Sequence, residues 1–176
     1  MQYVDIYTAL YDVQNYELRN HELHIVHDVT VDDSSLYSYI YSSIYVNPGI
    51  TLTFDFGSDS DENYSEVNMR ENLMGGGTVV LKNGALVLSG SAYDITVDGY
   101  VENYGTIYDG AVMNGEVYNC DCIFGGIFNG DVCNEDDIRG GTFNGNVVSD
   151  DGEIMGGNFL GNLTLNDGKI TNTSVP

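Results

Sequence analysis

The stretch "IRGGTFNGNVVSDDGEIMGGNFLGNLTLNDGK" (residues 138–169) says one phrase twice, GGTFNGNV at 140–147 and GGNFLGNL at 156–163. Followed outward, the phrase becomes a column. An apolar residue recurs at Leu86, Val101, Val117, Val132, Val147 and Leu163, at spacings of 15 or 16, and a glycine stands two residues before each: Gly84, Gly99, Gly115, Gly130, Gly145 and Gly161. Four residues before each runs a second apolar column of Val97, Met113, Phe128, Phe143 and Phe159, which the first copy breaks with Lys82. A third follows at Ile107, Ile123, Ile138, Ile154 and Ile170.

The phrase F-x-G-x-V-x-N alternates with period two, the pattern of a strand with one face buried. A glycine inside such a strand is expected to make room for a large Phe across a narrow interior. A unit of this length holds two or three very short strands, and an identical turn phrase at fixed spacing fits stacked coils, in which each unit buries its apolar residues against its neighbours. The sequence therefore predicts an all-β, single-domain parallel β-solenoid (β-helix) with ~15–16-residue coils. About six coils at ~4.8 Å per strand give a rod of roughly 25 to 30 Å.

Within the single domain 1–176, the regular repeats occupy 79–176, and 1–78 reads as an N-terminal cap and irregular coils of the same body. In "LYSYIYSSIYV" (36–46), Leu36, Ser38, Ile40, Ser42 and Ile44 alternate with Tyr37, Tyr39, Tyr41 and Tyr45. "VNPGITLTFDFG" (46–57) reads as a turn and an alternating strand, and "SDSDENYSEVNMRENLMGGG" (58–77) as a loop with a helical turn. Residues 1–20 are expected to cap the first coil. The phrase GGTFNGNV also resembles glycine-rich repeats of β-helical bacterial surface proteins and phage structural proteins, a likeness that implies fold and not function. The five-residue period of the pentapeptide-repeat family is missing.

Charge is the extreme feature of the composition: 27 acids against 5 Lys and Arg, a formal net charge of −22. Thirteen of the acids fall in residues 1–80 and fourteen in 81–176, so the whole molecule is acidic. Such a field repels nucleic acid and anionic lipid and attracts basic surfaces. No basic-plus-apolar leader and no apolar run of ~20 residues is present, and an odd count of three cysteines argues against a disulfide framework. The expected location is cytoplasmic, in a bacterial host, with neither nucleic acid nor membrane as a direct partner.

The turn after the valine column carries Asp121, Asp136, Asp151 and Asp167 at one repeated place, with Glu135 and Asp150 just before two of them. Stacked, these six form rows at the inter-strand spacing, which imitate the phosphates of a nucleic-acid strand and suit arginines and lysines evolved for DNA or RNA. The plainer reading is that Asp suits tight turns. Turn chemistry, however, is equally met by Asn, Gly and Ser and does not require a charge of −22. The tyrosine stripe Tyr37, Tyr39, Tyr41 and Tyr45 is a second candidate recognition surface, against the simpler reading of rings stacked up a solenoid face.

Other constellations are weaker. The calcium nonapeptide needs Asp inside the glycine turn where GGTFNGNV has Phe and Asn, and "DSDEN" (59–63) is too short for an EF-hand. "HELHIVH" (21–27) misses the zinc-helix pattern by one residue. Cys120, Cys122 and Cys133 sit on adjacent coils without an evident fourth ligand. With no nucleophile elbow, phosphate loop or singled-out acid pair, the chain is read as a non-enzyme without metal or cofactor.

In charge, size and lack of catalytic apparatus it resembles acidic DNA-mimic anti-CRISPR and anti-restriction proteins. The resemblance implies a phage-like inhibitor that occupies the basic DNA- or RNA-binding surface of a host defence protein such as a Cas effector nuclease. The alternatives are a structural β-helical rod of a phage fibre or bacterial adhesin, able to bind glycans, and adaptation of an ordinary protein to high salt.

Overall fold

The computed structural model describes residues 22–32, 39–57 and 66–171. It is a parallel β-solenoid of about seven coils, with no helix among the described residues. Every strand pairs in parallel with its counterpart one coil away. Three ladders run along the rod. The first carries the inward positions Leu23, Ile44, Leu73, Ala92, Ile107, Ile123, Ile138 and Ile154, all buried. The second carries Leu52, Val79, Val97, Met113, Phe128, Phe143 and Phe159. The third carries Val67, Leu86, Val101, Val117, Val132 and Val147.

Like residues stack on like. The rings of Phe128 and Phe143 lie 4.7 Å apart and those of Phe143 and Phe159 4.8 Å apart, nearly parallel, which is the spacing of neighbouring strands and not a choice of the rings. The three columns read from the repeat are thus the core, at the places the spacing assigns them.

The glycine of the phrase has another cause than the one the sequence suggested. A Cβ at Gly130 would collide with the carbonyl oxygen of Gly115, and one at Gly145 with that of Gly130, each far inside contact distance. The crowding is backbone on backbone, glycine over glycine, and the Phe column is not involved. The rings do crowd the second glycine of the GG pair: Gly141, at φ +113°, would set a Cβ 3.3 Å from a Phe143 ring carbon.

The coil from Leu73 to Ala92 takes more chain than those after it. The first-ladder positions Leu23, Ile44, Leu73 and Ala92 are separated by long stretches of chain, whereas those from Ala92 to Ile170 keep the short period of the repeat. The widening explains the broken first copy. Lys82 is not the counterpart of Val97; Val79 is, and Leu81 to Gly84 form extra chain opposite Gly99, where the register shifts. Asn83 turns that excursion at φ 60°. Lys82 points outward and pairs with Asp55 at 3.2 Å.

The described part of 58–77 is not a loop with a helical turn: Glu66–Met69 and Leu73–Met74 are strands of the third and first ladders. Residues 58–65, and the cap expected over residues 1–20, lie outside the described residues.

Inside the corner between the third and first ladders, apolar Met69 and Leu88 give way to Asn103, Asn119, Asn134 and Ser149, all fully buried. Each amide donates twice. Asn103 Nδ2 bonds the Gly105 carbonyl and Asn119 Oδ1, and Asn119 Nδ2 bonds the Asp121 carbonyl and Asn134 Oδ1. Asn134 continues to the Asp136 carbonyl and Ser149 Oγ. A buried amide left unpaired costs about 1–3 kcal/mol, whereas this chain of bonds satisfies both the side chains and the turn that follows them.

Two substitutions test this account. Gly130→Ala is expected to destabilise by about 3 kcal/mol or more, because backbone cannot yield to the new methyl. Asn119→Ala is expected to cost about 2 kcal/mol by orphaning its neighbours' amide groups. Urea unfolding reads both as a lowered midpoint at unchanged slope.

Candidate functional site

The carbonyls that accept from the buried Asn column belong to the residues read as an acidic row. Asp121 and Asp136 offer main-chain oxygens inward to Asn119 and Asn134, and Asp151 accepts from Ser149 Oγ at 2.9 Å. Their side chains consequently stand outside the corner, and Asp121, Asp136, Asp151 and Asp167 are all exposed. Gly105 fills the same role one coil earlier with no side chain at all. The fold uses the carbonyl at this position, so a carboxylate there is not a demand of the corner. Two coils add a local use: Asp151 and Asp167 accept from the next backbone N–H, at 2.8 and 2.9 Å.

Glu135 and Asp150 form the adjoining row, between Cys120 and Asn166, because the amides of all four bond to the carbonyls of the Asn and Ser column. The register thus brings all six acids to one corner over successive coils. Beyond the corner, Asp137 and Glu153 continue the negative surface, each with a cation: Arg139 bonds Asp137 at 3.0 Å and Lys169 bonds Glu153 at 3.2 Å. Thr171 also donates to Glu153, at 2.7 Å, and with Lys169 it holds that carboxyl below its ordinary range.

From Glu116 to Lys169 there are ten acids and two cations. Spread over about four coil rises of ~4.8 Å, the net charge is one per ~2.4 Å. Duplex DNA carries one per ~1.7 Å, so this part of the rod approaches the linear charge density of a nucleic acid. Neighbouring carboxylates ~5 Å apart repel by about 1 kcal/mol or less in water, a cost the coil stacking absorbs. The second ladder's outward face is uncharged over the same coils: Val112, Ile127, Thr142 and Asn158 face out beside a row in which Asn129 bonds Asn114, and Asn144 bonds Asn129, at 2.6 Å.

The tyrosine stripe does not lie on one face. The chain bends at Tyr41 and Ser42, and Ile40, Ser42 and Ile44 all stay buried through the corner. Tyr39 and Tyr41 stay together, with ring centroids 6.0 Å apart and the Arg70 guanidinium 4.4 Å above Tyr39. Tyr45 is carried round to the first ladder, where it packs against His24 at 5.0 Å. Tyr37 lies outside the described residues.

Sequence reading missed a better aromatic feature. Tyr108 and Phe124, each more than 40% exposed, stack 5.4 Å apart, and the Arg139 guanidinium lies 5.3 Å from the Phe124 centroid. The signal was present: each follows a residue of the isoleucine column, Ile107 and Ile123.

Among the described residues no three His, Cys, Asp or Glu side chains converge as a metal site. His24 pairs with Glu22 at 2.5 Å, His27 is exposed, and His21 lies outside the described residues. The cysteines serve the acidic corner separately: Cys120 Sγ lies 3.9 Å from Glu135 Oε2 and Cys133 Sγ 3.5 Å from Asp150 Oδ2. Burial pushes all three thiols up; Asp150 adds to this at Cys133, whereas Arg139 opposes it at Cys122. A hydrogen bond with Glu135 holds the Tyr118 hydroxyl well above the usual tyrosine range.

No protein-family model, no curated protein and no solved structure matches the chain.

The Cys133 environment gives a direct probe of the corner's field. Because the thiolate is the reactive form, iodoacetamide is expected to alkylate Cys133 at pH 8 more slowly than it does a cysteine in a short peptide. Asp150→Ala removes a hydrogen bond and a charge that both favour the thiol, so alkylation of Cys133, followed by peptide mass spectrometry, is expected to accelerate severalfold.

Proposed function

We propose that this chain is an acidic nucleic-acid mimic that binds the basic DNA- or RNA-binding surface of a host protein and blocks it by competition, without chemistry. The observation that carries the reading is the acidic corner. Its carboxylates are exposed in register over successive coils, at a position where the fold uses the carbonyl and Gly105 shows that no side chain is needed. Carboxylates that the buried corner does not require, and that repel one another, point to a use outside the scaffold. A rigid backbone ladder also holds the row in place before contact, which lowers the ordering cost of binding.

The kind of partner follows from the same chemistry. A channel lined with arginine and lysine for a phosphate backbone accepts carboxylates by charge-assisted hydrogen bonds. Defence nucleases of the Cas or restriction type present such channels, and the small acidic inhibitors this chain resembles act on them. The exposed Tyr108 and Phe124 stack favours a second reading, a fibre or adhesin rod that binds sugars on that face.

The test is DNA binding by a panel of Cas9-type effectors and restriction enzymes, with an unrelated protein of equal acidity as control. Selective inhibition of one enzyme is expected, at least tenfold stronger than the control, weakening as salt rises. The triple variant Asp121→Asn, Asp136→Asn, Asp151→Asn is expected to lose that margin while keeping its fold, since the corner's main-chain bonds are untouched. Inhibition no greater than the control's across the panel, together with saturable binding on a glycan array that Phe124→Ala removes, would transfer the assignment to the rod.

A further inference from the structure

Strand alternation turns the residue after each inward position of the first ladder away from the core, and the pairing sets these residues in one file along the rod. In chain order the file reads His24, Tyr45, Met74, Tyr93, Tyr108, Phe124 and Arg139. From Tyr45 to Phe124 it is aromatic except at Met74, whose sulfur accepts from the Tyr93 hydroxyl at 2.7 Å. Two places before each member stands a short, half-buried side chain: Ser43, Asn72, Ser91, Thr106 and Cys122. A file of rings beside a file of short side chains makes a straight shelf, and four coil rises of ~4.8 Å give it a length of about 19 Å.

Its shape and charge select what lies on it. The Tyr108 and Phe124 rings are 5.4 Å apart and nearly parallel. A third ring inserted between them needs about 7 Å, two contact distances, so a flat ligand lies along the file and not across it. The strands beneath are each paired on both sides, which leaves a peptide no free main-chain groups to bond. The shelf itself carries no charged side chain, and acids flank it on both sides: Glu71 and Asp121 stand before the short file, Asp94 and Asp109 after the rings. The cations among the described residues are engaged elsewhere, Arg70 over Tyr39, Lys82 with Asp55, Lys169 with Glu153 and Arg139 with Asp137. At each end the file stops on a flat nitrogen-bearing side chain laid against the last ring, His24 at 5.0 Å from Tyr45 and the Arg139 guanidinium at 5.3 Å from Phe124.

We infer that the shelf from Tyr45 to Phe124 is a binding site for an elongated, planar, cationic aromatic molecule that lies parallel to the rod. Apolar area buried against the rings supplies the affinity, and the flanking carboxylates select the sign of the charge. The inference rests on neither reading of the proposed function and requires no partner protein.

Titration of the whole chain with thioflavin T, an elongated planar cation that fluoresces when its rings are held coplanar, tests it on material that sedimentation shows free of aggregate. The expected result is saturable binding of one dye per chain with a Kd of about 10–100 µM, by fluorescence and by equilibrium dialysis alike. Binding is expected to weaken severalfold when NaCl is raised from about 0.05 to about 0.5 M. Congo red, elongated and planar but anionic, is expected to bind at least tenfold more weakly. Tyr108→Ala and Phe124→Ala, at positions too exposed for the fold to depend on, are each expected to weaken the dye at least fivefold with an unchanged circular dichroism spectrum, and Ile127→Ala on another flank to leave it intact. Arg139→Gln takes a positive charge from the end of the shelf and is expected to tighten binding about threefold, a gain that damage to the fold does not produce. No saturable binding by either method would overturn the inference. So would equal binding of the anionic dye, or a site that Ile127→Ala removes and the ring variants leave unchanged.

Discussion

Everything in this molecule hangs from parallel main-chain pairing in which each residue of one coil sits over its equivalent in the next. Once the coils are locked in that register, each side chain is stacked on the one at the equivalent place in the next coil, at the strand spacing. A favourable stack such as Phe128, Phe143 and Phe159 is then repeated, and so is a costly one. The same rule that builds the core builds the acidic corner. No side chain chooses its neighbour independently, which is why one short phrase, repeated, suffices to specify half of the chain.

The corner between the third and first ladders shows how interior and surface are divided. Inside, an amide column carries its hydrogen bonds from coil to coil and also fixes the turn through main-chain oxygens. Outside, the side chains at that turn take no part in the buried network, and only Asp151 and Asp167 add a local bond to the backbone N–H that follows. The rod can present carboxylates on one flank and a neutral ladder of Asn114, Asn129 and Asn144 on another without changing anything buried.

The sequence carried the solenoid, its period and its three inward columns, because apolar residues at fixed spacing report burial directly. It also carried the acid rows, since stacking in register follows from the period. Other features depended on geometry that the period does not contain. Lys82 looked like a broken column because the wide coil inserts Leu81 to Gly84, which only pairing against Gly99 exposes. The repeated glycine was assigned to the Phe column, yet a carbonyl one coil below forbids its side chain. Tyr39 and Tyr45 alternate perfectly in sequence and still part company, because Ser42 is small enough to take a corner without leaving the core. The Tyr108 and Phe124 stack lies beside the isoleucine column at a place that the following coils fill with Arg139 and Met155, so no repeated residue type marks it.

A surface written on a repeat has quantised dimensions. Removing or duplicating one unit moves every downstream side chain by a whole coil, so residues that were stacked remain stacked and the interior is undisturbed. The acidic corner can therefore lengthen or shorten by unequal exchange between near-identical units, in steps of ~4.8 Å, each bringing its own complement of charge. A change of one or two residues within a unit has no such freedom, since it turns the inward face out. For a lineage carrying this protein, the reach of the charged row is a matter of counting coils, and its fit to a differently sized groove is accessible by copy number before any substitution.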